Sequence, residues 1–133
     1  MAFLLDTDIL SAIMRKNPIV IPKSRAYLQE HQRFQFSIIT RYEILRGLKA
    51  IDAHRRLEAF EQLCLRSTII HLSDAIISRA SDIYADLSNR GELIGDADIL
   101  IAASALVHGL GLVTNNENHF QRITDLQIEN WIK

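Results

Sequence analysis

Asp6 and Asp8 flank a threonine directly after the apolar run Phe3-Leu4-Leu5, and Asp96 and Asp98 open the apolar stretch from Ile99 to Val107. These four carboxylates are the side chains of this chain best suited to do chemistry. If both segments belong to one parallel sheet, their acidic ends meet at its carboxyl edge, where open α/β folds build their sites. Two unit charges about 4 Å apart repel by about 4 kcal/mol at an effective dielectric near 20, so a fold that gathers them offsets them with protons or a cation. An all-oxygen donor set selects a hard divalent ion, Mg²⁺ with Mn²⁺ as its substitute. His31, His54, His71, His108 and His119 include no i, i+4 pair, and Cys64 has no second cysteine to join it, which argues against zinc.

Each of these residues also has a purely structural reading. Asp, Thr and Asn are favoured at helix N-caps, and a negative charge is favoured in any first helical turn. One cap needs one such residue, however, and Asp6-Thr7-Asp8 supplies three. Glu43 closes the capping-box pattern Thr40-Arg41-Tyr42-Glu43, in which an N3 glutamate has structural work of its own. Its place just after a β-rich run also aims it at the edge that holds Asp6. Asp96 reads as an N-cap, Asp98 as a first-turn residue, and Thr114, Asn115 and Asn116 as the end of a strand and the start of a helix. Asn116 could further offer its side-chain oxygen to a metal-bound water. Arg41, Arg46 and Lys49 lie on or near the helix that carries Glu43 and are candidates for phosphate contacts, or for contacts to an acidic protein segment; a solvated basic face is the bland alternative. No phosphate-binding loop, dinucleotide fingerprint or nucleophile elbow occurs.

The elements that must position these residues alternate along the chain. Phe3 to Leu5 reads as a first strand and Thr7 to Arg15 as a helix, broken by Asn17 and Pro18. A polar helix runs from Pro22, suited to the first helical position, to about Gln32. Phe34, Phe36, Ile38 and Ile39 predict a second strand, followed by the helix opened by Thr40. His54 to Leu65 has helical spacing, Ser67 to Leu72 predicts a third strand, and Asp74 to Arg90 a helix closed by Gly91. Asp96 to His108 is apolar nearly all round, as a central helix requires, and ends at Gly109. Leu110 to Val113 predicts a fourth strand, Asn115 to Arg122 a short helix and Leu126 to Trp131 a last strand at the sheet edge. Strands alternating with helices imply a right-handed α/β sandwich on a mostly parallel sheet of about five strands.

Composition narrows the function classes. With 133 residues and 48% hydrophobic content, the chain suits a single domain over 1–133. A formal charge of −1 means that any affinity for nucleic acid must come from a local patch. The amino terminus lacks a basic n-region and meets Asp6 too early for a signal peptide, and no apolar run is long enough to span a bilayer. With one unpaired cysteine, these features lead to the expectation of a cytoplasmic protein.

The motifs together, Leu5-Asp6-Thr7-Asp8, Tyr42-Glu43-Ile44-Leu45-Arg46-Gly47, Asp98-Ile99-Leu100-Ile101-Ala102-Ala103 and Thr114-Asn115-Asn116 with Phe120, resemble those of PIN-domain ribonucleases. The length and the closing Leu126-Gln127-Ile128-Glu129-Asn130-Trp131 are similar to the VapC toxins of toxin–antitoxin pairs. The resemblance implies a PIN-like three-layer α/β/α sandwich and a Mg²⁺-dependent endoribonuclease that cuts RNA by metal-activated water. Asp6, Glu43 and Asp98 match the family's acidic positions, and the resemblance implies catalysis on a Mg²⁺ held by Asp6 and Asp98, with Glu43 and Asp96 binding it directly or through water; Asp8, Thr114 and Asn116 would be secondary polar groups. The resemblance also implies a homodimer neutralised by a small VapB-type antitoxin. Two alternatives stand beside it. A haloacid-dehalogenase-like phosphatase also begins with strand-Asp-x-Asp, but its pattern wants Thr or Val where this chain has Leu10. A non-catalytic PIN-like binding module would keep the pocket without the chemistry.

Overall fold

Neighbouring leucines of the first strand, Leu4 and Leu5, are both fully buried but in different cores, because successive side chains of a strand leave on opposite faces. In the computed structural model, which describes residues 1–133, the element order is β1 (Phe3–Leu5), α1 (Thr7–Met14), α2 (Val20–His31), β2 (Gln35–Ser37), α3 (Ile38–Ala50), α4 (His54–Leu65), β3 (Thr68–Ile70), α5 (Asp74–Asn89), α6 (Asp96–Val107), β4 (Gly111–Val113), α7 (Glu117–Phe120) and β5 (Ile128–Glu129). Leu4, Ile70 and Leu112 pack with Ile76, Ile83 and Leu87 of α5, with Ile101 and the alanines of α6, and with Phe120. Leu5, Phe36 and Val113 pack on the other face with Ile9 and Leu10 of α1, Tyr27 of α2, Ile44 of α3 and Phe60 of α4. A parallel sheet needs cover on both faces, and the result is the expected three-layer α/β/α sandwich.

All four strand pairings are parallel, in the order β3-β2-β1-β4-β5. From the central β1 the chain steps outward to β2 and β3, then crosses through α5 and α6 to place β4 on β1's other side. The order therefore reverses between β1 and β4, and a crevice opens at their carboxyl ends. The register Leu5↔Val113 sets residue 6 beside residue 114 at that crevice.

Several boundaries differ from the sequence expectation. Ile38 and Ile39, β-formers by propensity, are helical: β2 stops at Ser37, whose hydroxyl accepts the Ile39 N–H at 3.0 Å and caps α3. Ile39 packs into a core from its helical position, and tertiary packing overrides local preference. Thr40 is then a fully buried helix residue, and the capping box Thr40–Glu43 does not form. Helix α2 starts at Val20, where Asn17 Oδ1 accepts the N–H groups of Ile19 and Val20 at 2.8 and 3.2 Å. Pro22 is its third residue and not its first, still within the turn whose N–H groups have no helical acceptor. Gly95, not Asp96, is the N-cap of α6, and no side chain caps it. The last helix and strand are shorter than expected. Gly91 and Gly109 close α5 and α6 with φ of +67° and +66°, the left-handed conformation that favours glycine.

Candidate active site

Asp6 leaves β1 in an extended conformation and is the N-cap of α1, its Oδ1 accepting the Thr7 N–H at 2.8 Å. The structural reading of this residue is thus correct but incomplete. Its Oδ2 accepts the hydroxyl of Thr114, at the end of β4, at 2.7 Å. Asp8, in the first turn of α1, accepts the Asn115 N–H on Oδ2 at 3.0 Å, while its Oδ1 is buried without any hydrogen-bond partner. Asp98, in the first turn of α6, lies with Oδ2 3.0 Å from Nδ1 of His119.

The charges of neighbouring carboxylates reach both Asp6 and Asp8. Burial, together with the charge of Asp8 and more weakly that of Asp98, pushes the Asp6 carboxyl up to about 7, against the lowering effect of the Thr114 and Thr7 hydrogen bonds. Burial is also the main cause that raises Asp8; the Asn115 N–H opposes it and the charge of Asp98 adds to it. A metal-free site therefore holds protons that ordinary aspartates would release.

Glu43 flanks this group from α3. Its Oε1 accepts the Thr7 hydroxyl at 2.7 Å, and Thr40 Oγ1 lies 3.0 Å from the same hydroxyl. A hydroxyl has one proton; with that proton on Glu43, Thr7 accepts from Thr40. Arg46 lies 3.8 Å from the other oxygen of Glu43 and its guanidinium covers the exposed Tyr42 ring at 5.1 Å.

Not every residue singled out in the sequence is gathered here. Asp96 is exposed and borders a shallow groove with Ile77, Tyr84, Ile99 and Leu100, against α5. Arg41 is held by Glu61 and by Cys64 Sγ, whereas Lys49 is exposed. Asn116 turns its amide to His119, 2.9 Å from Nδ1. Thr7 and His119 were the residues the sequence hid. Thr7 read as one more cap, and His119 as one of five scattered histidines. The available signal was its place three residues past Asn116, on the helix that follows β4 at the same sheet edge.

A cleft of about 530 Å³ opens beside Thr7 and Glu43, between α1, α3 and α4. Its walls combine Ile13, Met14, Leu48 and Leu63 with the cations Arg15, Lys16, Arg56 and Arg66.

No three His, Cys, Asp or Glu side chains are gathered tightly enough to form a ready-made metal cage. The donor set nonetheless fits a hard cation. Mg²⁺ keeps several waters and is commonly held through one or two carboxylates, and a buried carboxylate oxygen with no donor, that of Asp8, is the kind of orphan a cation would satisfy.

Known proteins resemble this chain over nearly its whole length. The PIN domain family matches residues 3–126. A relative from Haemophilus influenzae named Ribonuclease VapC2 is 34% identical, with 98% of each chain covered. A Shigella flexneri protein named tRNA(fMet)-specific endonuclease VapC is 29% identical, with 97% of each covered. Among solved structures, VapBC2 from Rickettsia felis, bound to a DNA fragment from its promoter, contains a chain that superposes with a TM-score of 0.88 at 27% identity, covering 98% of this chain and 99% of that one. No helix is long and apolar enough to cross a membrane.

Proposed function

Because the chain belongs to the PIN domain family, we propose that it is a Mg²⁺-dependent endoribonuclease and the toxin of a VapBC-type toxin–antitoxin pair. The observation that carries this reading is the convergence of Asp6, Asp8 and Asp98 at the β1–β4 crevice, with one Asp8 oxygen left unpartnered. Asp6 and Asp98 would hold the ion, with the free oxygen of Asp8 beside them. Glu43 acts from the flank through Thr7, and Asp96, exposed beside α5, is left out of the site. When bound, Mg²⁺ would supply Lewis-acid stabilisation at the phosphate and a lowered pKa for water, chemistry whose products would carry 5′-phosphate and 3′-hydroxyl ends. The Thr114 hydroxyl and the Thr7 N–H favour the ionised form of Asp6 against the burial that opposes it. Arg46 and Lys49, exposed on α3, are suited to RNA phosphates; Arg41, engaged with Glu61, is less free to serve.

The cleft beside Glu43 suits the second partner. Its mixture of apolar walls and four cations fits an amphipathic acidic peptide, and such a segment of a VapB-type antitoxin lying there would close the approach to Glu43. The exposed Ile77 and Tyr84 of α5, with Leu100 of α6, form an apolar face suited to a homodimer. The haloacid-dehalogenase alternative loses support, because Leu10 is fully buried in the core and no lysine pairs with Asp6 or Asp98.

The test is to incubate the purified chain with total RNA, in Mg²⁺ and in EDTA, and to sequence the ends produced. Cleavage should need the divalent ion, give 5′-phosphates and vanish in Asp6→Asn and Asp98→Asn. Cleavage in EDTA, 2′,3′-cyclic phosphate ends or full activity of either variant refutes the assignment. A folded wild-type chain that cuts no RNA with the ion present points to the non-catalytic binding module.

A further inference from the structure

We propose that His119 and Asn116 are positioning residues, through which the turn from β4 into α7 sets the Asp98 carboxylate relative to Asp6. This rests on the metal-site reading above and goes beyond it, because neither residue need touch the ion or the RNA.

An unbroken hydrogen-bonded arc joins the two carboxylates. Thr114 Oγ1 donates to Asp6 Oδ2 at 2.7 Å and accepts the Asn116 N–H at 3.0 Å. The Asn116 amide lies 2.9 Å from His119 Nδ1, which lies 3.0 Å from Asp98 Oδ2. The chemistry of the arc fixes its proton. An ionised carboxylate only accepts, so Nδ1 must carry the hydrogen that meets Asp98. An amide nitrogen of Asn116 at 2.9 Å would then set donor against donor. The conflict disappears when the amide is turned so that its oxygen faces the ring, an assignment that hydrogen-bond logic decides. His119 Nδ1–H is then shared between Asp98 and Asn116, and the Asn116 oxygen is committed to the ring.

Two further features favour positioning over ordinary capping. Asn116 occupies the N-cap of α7 but makes no capping bond, although asparagine is among the best residues for that task. Its side chain is diverted to His119. The next residue along, Phe120, is fully buried in the α5–α6 core and anchors the short helix that presents the ring. Asp98 itself is a quarter exposed, and His119 is the side chain that hydrogen-bonds it. Without it the carboxylate is free to rotate away from Asp6 and Asp8. Outer-shell partners of this kind are worth roughly 10–100-fold in metal affinity.

The experiment uses the full chain and two readouts. Long-range ¹H–¹⁵N correlation spectra of the metal-free protein, at a pH where the ring is neutral, should show His119 protonated on Nδ1. Manganese titration calorimetry should show His119→Ala weakened by roughly 10–100-fold. His119→Asn, whose amide N–H stands where Nδ1–H stood, should recover most of the loss, and His119→Gln should not. A ring protonated on Nε2 overturns the proposal; so does unchanged affinity in His119→Ala, or a well-folded His119→Asn no better than the alanine variant. Failure of the metal reading looks different: wild type and Asp98→Asn would alike bind no manganese, and the tautomer of His119 would then decide the arc alone.

Discussion

Replacing Asp6 by asparagine should stabilise the metal-free chain at pH 8 and leave its stability nearly unchanged at pH 5. The native carboxyl is raised from 3.8 to about 7, while in the unfolded chain it returns to its ordinary value. Between those two pH values the native state holds a proton that the unfolded state has released, so stability falls as pH rises through the window and levels off above it. At 1.36 kcal/mol per pH unit the full penalty has a ceiling of about 4 kcal/mol. Asparagine removes the charge and still offers an oxygen to the Thr7 N–H, but it loses the bond from Thr114, worth about 1.5–3 kcal/mol when charge-assisted and about 1 kcal/mol when neutral. A net gain of about 1–3 kcal/mol at pH 8 follows, shrinking towards zero at pH 5, where the remaining penalty of about 1–2 kcal/mol, from the ionised unfolded carboxyl alone, is offset by the lost Thr114 bond. Urea unfolding of both proteins in EDTA at the two pH values measures it. A difference independent of pH, or a destabilised variant at pH 8, would show that Asp6 is not a strained carboxylate and would remove the electrostatic case for a cation.

Two stability measurements probe the elements around the site. Ser37→Ala should cost about 1 kcal/mol through loss of the α3 cap, whereas Glu43→Gln should stay within about 0.5 kcal/mol and impair only activity; the reverse order in thermal melts would restore Glu43 as a cap. Gly111→Ala would set a Cβ 2.5 Å from Phe3 Cε1 and 3.3 Å from the Gln127 carbonyl oxygen, and should cost about 1–3 kcal/mol by overpacking, seen as a lowered melting temperature; an unchanged melt would mean that the β1–β4 contact is loose.

The local pattern fixes where strands and helices occur, which residues face the cores and that Asp6, Asp8 and Asp98 stand at strand ends or helix starts, because periodicity and capping preference act over a few neighbouring residues. Short range also limits it. Ile38 and Ile39 carry β propensity, yet both are helical in α3, where Ser37 caps the helix and Ile39 packs into a core, and with that shift Glu43 stops being a cap and turns to Thr7. Asp96 and Asp98 look alike in sequence; the rotation of about 200° between residues two apart on a helix sends Asp98 to His119 and leaves Asp96 beside α5. Which acids meet, and that Thr114 and His119 join them, was decided by the parallel register of β1 on β4 and by the docking of α7 through Phe120. The first joins segments about a hundred residues apart in the chain and the second brings together residues 21 apart on different helices, and the geometry of both is set by close packing of complete elements, which spacing along one strand or helix does not encode.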